Sequence, residues 1–184
     1  MTGDAFIRHY TAVADASPVP VLLYNFAAVT GVNLQPATVA RLADHPNIVG
    51  MKESGSDISQ ISELVALTPR TFSVLAGSGS TFFPALCAGV SGGILALATL
   101  LPDPCVRLSD LVRDKRYDEA RALQQQLVPI ARLISTGHGV PGLKAALKLV
   151  GCDVGLPRPP LAPVDDTAVT ALHEALARFE QVSA

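Results

Sequence analysis

Four short runs, residues 19–25, 47–52, 72–77 and 93–98, are continuously apolar rather than alternating, and each is followed by a stretch with helix signals. A strand exposed on one face alternates apolar with polar side chains, so a continuous run belongs to a strand covered on both faces, the habit of parallel sheets. Parallel neighbours need a long crossover, and the intervening segments supply it. Pro36 opens the segment ATVARLAD, Ser56 and Asp57 precede ISQISELVAL, and Ser80 and Thr81 precede FFPALCAG. These are helix-start residues. Pro84 falls in a first helical turn, where its missing donor is tolerated, and His45-Pro46 marks the end of a helix before the second run. After Pro102 the pattern changes. Residues 103–116, 117–135, 141–150 and 165–180 have helical periodicity with no strand between them, and the proline-rich stretch 156–163 reads as an extended tether. The expectation is an α/β portion over residues 1–102 and a helical portion over residues 103–184.

At 49% hydrophobic and 16% charged, the chain has enough apolar material for a packed core and is too apolar for disorder. Its formal charge of -2 and scattered basic residues argue against nucleic acid as a partner. No basic start leads into an apolar run and cleavage site, and the longest apolar candidate, residues 92–101, is shorter than the roughly 18 residues a membrane span needs. A soluble, cytoplasmic protein without a membrane partner is expected. Cys87, Cys105 and Cys152, like His9, His45, His138 and His173, are too dispersed for a disulfide framework or a metal site. Gly77-Ser78-Gly79 follows a strand run and precedes a helix. It lacks the third glycine and the later acidic residue of a dinucleotide fingerprint, so nicotinamide binding is rejected. His138 reads as a surface-turn residue, and the alternating charges of residues 107–121 as a solvated helix face.

Ligands of parallel sheets gather at the carboxyl ends of strands. Lys52 ends the second run and Tyr24 stands at the end of the first, so amine and phenol are expected on adjacent strands at one sheet edge. An amine must lose its proton to attack a carbonyl, and an apolar surround favours the neutral form. A phenol beside it can move protons. Taken singly, each residue has a plainer reading: Lys52 reaching into solvent to pair with Glu53 or Asp57, and Tyr24 packing at a strand end.

The blocks HPNIVGMKESGSD (45–57), YNFAAVTG (24–31), VLAGSG (74–79), GGILALA (92–98) and GVPGLKAAL (139–147) together resemble the dihydrodipicolinate synthase and N-acetylneuraminate lyase superfamily, in its order and spacing. The resemblance is closest to 4-hydroxy-2-oxoglutarate aldolase. It implies the C-terminal half of a (β/α)8 (TIM) barrel, with four parallel strands as strands five to eight, followed by a helical extension. It implies that Lys52 forms an imine with a pyruvate-like 2-keto acid, that Tyr24 shuttles protons, and that Ser54, Gly77 and Leu95 line the pocket. No cofactor or metal is implied, and the family habit implies a homotetramer. The expected activity is a class I aldolase or lyase cleaving 4-hydroxy-2-oxoglutarate to pyruvate and glyoxylate. A 4-hydroxy-tetrahydrodipicolinate synthase or other pyruvate-dependent aldolase is the alternative, although Val29 stands where the synthase branch has an arginine. Two other classes are weighed: a catalytically silent fragment whose apolar faces another half covers, and a flavodoxin-like binding module. The family's early strands, with their substrate-carboxylate loop and second tyrosine, have no counterpart in these residues.

Overall fold

The computed structural model describes residues 2–183 and divides into two compact units, Met1–Ile94 and Leu95–Ala184. The first unit holds a four-stranded parallel sheet in the order β1 (Val21–Asn25), β2 (Ile48–Glu53), β3 (Ser73–Ala76), β4 (Gly92–Gly93). The α/β class and the first three strands match the continuous apolar runs. The fourth differs. Only Gly92 and Gly93 pair with β3, and a helix begins at Ala96 within the run expected to be strand. An apolar run of alanine, leucine and threonine suits a buried helix as well as a strand, and alanine and leucine lead the helix scale.

The helices follow from local chemistry. Helix α1 (Gly3–Ala16), which the apolar periodicity of the sequence does not mark, begins at Thr2, whose hydroxyl accepts from the Ala5 amide. The single turn α2 (Ala27–Thr30) ends at Gly31 in the left-handed region, with φ 71°. Helix α3 (Pro36–Leu42) has proline at its start, and α4 (Ile58–Leu67) is capped by Asp57, which accepts from the Ser59 and Gln60 amides. Helix α5 (Phe82–Ala88) closes at Gly89, where φ is 102°. Asn47 ties the first helix to the sheet. Its amide donates to the carbonyls of Ala14 at 2.8 Å and Ser17 at 3.0 Å, while its own carbonyl receives the Val21 amide at 2.8 Å. Leu23, Met51 and Val74 on one sheet face are buried, as are Val39, Leu64 and Ala85 of the helices. The opposite face is open at its β1 side, where Leu22 and Tyr24 are 47% and 51% exposed.

The second unit is helical: α6 (Ala96–Leu100), α7 (Pro102–Arg113), α8 (Tyr117–Arg132), α9 (Gly139–Leu149) and α10 (Asp166–Ser183). Helix α8 buries Ala120, Leu123, Leu127 and Ile130, the stripe that its period of 3.6 requires. A π-helical turn over Leu133–Gly137 separates α8 from α9, and His138 is the residue just before α9. The tether is held by Lys144, whose ammonium donates to the carbonyls of Val154 and Leu156, both at 3.1 Å. The charges of α7 and α8 pair at the surface, among them Arg116 with Glu119 at 2.6 Å, and that hydrogen bond holds the Glu119 carboxyl below its ordinary range. No helix among the described residues is long and apolar enough to cross a membrane.

Burial pushes the Cys105 thiol up to about 11, whereas Cys87 and Cys152 are exposed. Only the thiolate reacts readily, and at pH 8 a group of pKa about 11 is roughly 0.1% ionised. A thiol-reactive disulfide reagent is therefore expected to leave Cys105 unmodified in the folded chain and to reach it only in denaturant. Labelling of Cys105 without denaturant, read by peptide mass spectrometry, contradicts the packing of α7.

Candidate functional site

Tyr24 lies directly opposite Lys52 in the β1–β2 register, and Lys52 lies opposite Leu75 of β3. The Lys52 amine donates to the Tyr24 hydroxyl at 3.5 Å and sits 4.5 Å from the centre of its ring. That is the range in which a cation is attracted to an aromatic face. The two groups stand at the carboxyl ends of parallel strands, as the order of apolar runs leads one to expect. Neither is enclosed, for Tyr24 is 51% exposed and Lys52 is half-buried, so the apolar surround expected of an amine nucleophile is not present.

This register depends on an irregularity. Val21 pairs with Ile48 but Leu22 pairs with Gly50, which leaves Val49 of β2 without a partner in β1. An extra residue of this kind is a β-bulge. Without it, Tyr24 would face Met51, and Lys52 would face Asn25 on the opposite side of the sheet, because side chains alternate along a strand. Val49 thus brings phenol and amine to the same face.

The residues that follow the pair form a buried network on the other face. Asn25 and Glu53 are each 2% exposed. The Asn25 amide donates to Glu53 Oε2 at 2.6 Å and to Asn33 Oδ1 at 2.7 Å, and Asn25 Oδ1 accepts the Leu34 amide at 3.0 Å. Glu53 Oε2 also accepts from Gln60 Nε2 at 2.9 Å, and Oε1 accepts the Gly55 amide at 2.6 Å. Asn33 and Gln60 close the circuit through the Asn33 donor to Gln60 Oε1 at 2.7 Å. The plainer reading of Lys52, paired with Glu53 or Asp57, does not hold, since Glu53 points to the opposite face and Asp57 caps α4. Sequence reasoning gave these amides no role. The available signal was a polar residue at the end of two apolar runs, in the alternate position to Tyr24 and Lys52.

Ser54 and Gly77 lie side by side at the ends of β2 and β3. The Gly77 amide donates to the Glu53 carbonyl at 2.7 Å, and a Cβ at Gly77 would stand 2.8 Å from Ser54 Cα and closer still to its hydroxyl. The Ser54 hydroxyl is buried and has no hydrogen-bond partner among the described residues. Leu95 belongs to the second unit, where it is 6% exposed and immediately precedes α6. The first unit therefore brings together Tyr24, Lys52, Ser54 and Gly77. Among the described residues no three histidine, cysteine or acidic side chains cluster as metal ligands would.

Residues 2–179 match the dihydrodipicolinate synthetase family. A 4-hydroxy-tetrahydrodipicolinate synthase of Exiguobacterium sp. is 37% identical over 182 residues, covering 98% of this chain and 62% of that protein. The crystal structure of a dihydrodipicolinate synthase from Thermotoga maritima superposes with a TM-score of 0.93 at 30% identity, over 98% of this chain and 62% of that one. A prophage protein of the same family from E. coli K12, solved in complex with pyruvate, superposes with a TM-score of 0.90 at 30% identity, again over 98% of this chain and 62% of that chain. The chain thus spans less than two thirds of the length of these relatives. Taken with the four parallel strands and the strand-end geometry, the match establishes that the chain belongs to the dihydrodipicolinate synthetase family.

Proposed function

We propose that this chain carries the imine-forming site of a pyruvate-dependent carbon–carbon lyase or synthase, with Lys52 as nucleophile and Tyr24 as proton carrier. The observation that carries this reading is the Lys52 amine within 3.5 Å of the Tyr24 hydroxyl at the carboxyl ends of adjacent strands. In the reaction, the neutral amine attacks the C2 ketone of the keto acid. Tyr24 protonates the carbinolamine hydroxyl, water leaves, and the imine forms. Loss of a C3 proton gives an enamine that attacks an aldehyde. In the reverse direction the C3–C4 bond breaks, the imine accepts the electron pair, and Tyr24 takes the proton of the C4 hydroxyl. Because the protonated imine is the electron sink, the chemistry requires neither metal nor organic cofactor. Ser54, Gly77 and Leu95 are the proposed pocket residues.

The whole enzyme in this reading is a (β/α)8 barrel in which the four strands are strands five to eight. Covering the open sheet face would desolvate the amine, which the first unit by itself does not. The names of the relatives favour 4-hydroxy-tetrahydrodipicolinate synthase over 4-hydroxy-2-oxoglutarate aldolase, against the closer resemblance read from the motifs. Cleavage of 4-hydroxy-2-oxoglutarate stays as a second reading because the 72% exposed Val29 stands where the synthase branch has an arginine, although the oxoglutarate aldolases carry a polar residue there.

The test is to incubate the purified chain with pyruvate and borohydride and to map adducts by intact and peptide mass spectrometry. One reduced pyruvate on Lys52 is expected. Tyr24→Phe is expected to slow trapping by about 100-fold, the lower end of the contribution of a positioned proton donor. A folded chain that forms no adduct sinks the imine reading and leaves a catalytically silent piece, the alternative favoured by the open face around Leu22 and Tyr24.

A further inference from the structure

A carboxylate with 2% exposure one residue after the candidate nucleophile needs a reason, because the mechanism does not use it. The Glu53 carboxylate accepts from the side chains of Asn25 and Gln60 and from the backbone amide of Gly55, and its side chain lies on the face opposite Lys52 and Tyr24. Asn25 and Glu53 are themselves register partners, one step beyond the Tyr24–Lys52 pair. The bond between them therefore fixes, from the helix-covered face, the same strand alignment that the bulge at Val49 creates four residues earlier. We propose that Glu53, held by Asn25 and Gln60, is a positioning residue that locks the register of β1 against β2 and so keeps the Lys52 amine over the Tyr24 ring and beside its hydroxyl.

Three features point to a lock rather than to ordinary packing. The network joins four segments: the end of β1, the loop at Asn33 and Leu34, the end of β2, and the first turn of α4 at Gln60. It is closed, since every donor named ends on an acceptor inside it, and buried networks of this kind are rigid when fully satisfied. It also requires a carboxylate. Both oxygens of Glu53 face N–H donors, so a glutamine there turns an NH2 group toward Gly55 N or toward the Asn25 and Gln60 amides. A slip by one residue reverses the side-chain faces.

The register argument stands on geometry; only its consequence for catalysis rests on the imine reading, and the experiment separates the two. The chain has four lysines, at 52, 115, 144 and 148, so reductive 13C-methylation of the full chain gives lysine signals that Lys52→Arg assigns. With the amine 4.5 Å from the Tyr24 centroid, the Lys52 methyl signal should carry a ring-current shift in the native sequence. In Glu53→Gln that shift is expected to collapse while the signals of Lys115 and Lys148 stay in place. Pairing Glu53→Gln with Asn25→Asp reverses the hydrogen bond, since the new amide donates to the new carboxylate while Asn33 and Gln60 turn their amides, and the shift is expected to return. A structural role without register control does not predict that rescue.

In a parallel unmethylated sample, Glu53→Gln is expected to lower the maximal rate of pyruvate trapping about tenfold or more, within the penalty of a misplaced reacting group, with half-saturation by pyruvate little changed. Should Glu53→Gln not fold, Gln60→Ala is read in its place, with the same direction and smaller size. An unchanged Lys52 signal in these variants, or no recovery in the paired variant, overturns the proposal even if the native chain traps pyruvate. A collapse and recovery of the signal in a chain that traps none upholds the register lock and removes the imine reading instead.

Discussion

Replacing Lys52 with alanine is expected to abolish the borohydride-trapped pyruvate adduct altogether, and Lys52→Arg to do the same, because a guanidinium retains its charge and is no amine nucleophile. The other lysines are placed for different work. The Lys144 ammonium is bound to the Val154 and Leu156 carbonyls, Lys148 lies 3.7 Å from Asp153, and Lys115 sits in a surface turn with φ 62°. None has a phenol beside it among the described contacts, and each should remain unlabelled at pyruvate concentrations that saturate Lys52. The comparison is made by peptide mapping after equal exposure to pyruvate and borohydride. An adduct that survives in Lys52→Ala at native yield transfers the chemistry to another residue and ends the assignment. The effect is large because no other group at the strand ends can supply the nitrogen of the imine, whereas loss of Tyr24 only slows a proton transfer that water can still perform.

The second large effect is structural. Gly50 lies in the middle of β2, opposite Leu22 on one side and Ser73 on the other. A Cβ there would stand 2.8 Å from Leu22 Cδ2 and closer to the Ser73 carbonyl oxygen than van der Waals contact allows. Leu22 is exposed and its side chain can turn away, but the Ser73 carbonyl is part of the β2–β3 pairing and cannot move without opening it. Gly50→Ala is therefore expected to destabilise the chain by about 3 kcal/mol, the upper range for overpacking. With a urea dependence of about 2 kcal/mol per molar, the midpoint by circular dichroism falls by about 1.5 M. Since a small domain has only about 5–15 kcal/mol in all, Gly50→Val, with two further methyl groups, is expected not to fold. A Gly50→Ala midpoint within 0.3 M or so of the native one, roughly 0.6 kcal/mol at the same urea dependence, contradicts the close packing of β2 on β3.

Much of this architecture is legible from residue order because the signals are local. Continuous apolar runs mark β1, β2 and β3, and Pro36 and Asp57 open α3 and α4 where their chemistry places them. The run after Gly93 reads as strand because periodicity does not separate a short buried strand from a buried helix, and there the chain turns helical at Ala96. Helix α1 gives only a weak signal in the sequence although Thr2 and Asp4 are sound start residues, because it fully buries only Ala14 and its apolar stripe is faint. Glu53 reads in sequence as the solvated neighbour of a lysine. Only the folded chain surrounds it with the side-chain amides of Asn25 and Gln60, from two other segments, and the backbone amide of Gly55.

The sequence by itself determined the succession of strand and helix, the strand-end placement of Tyr24 and Lys52, and a family membership carried by five motifs in order. Which way those two side chains point was decided by the tertiary structure. Direction alternates along a strand, so one unpaired residue inverts every position after it, and Val49 is an apolar residue among apolar residues with nothing to mark it as extra. Pairing in a sheet is a long-range choice that local sequence does not carry, and in the register observed Asn25 meets Glu53 and the network of Asn25, Asn33, Glu53 and Gln60 closes.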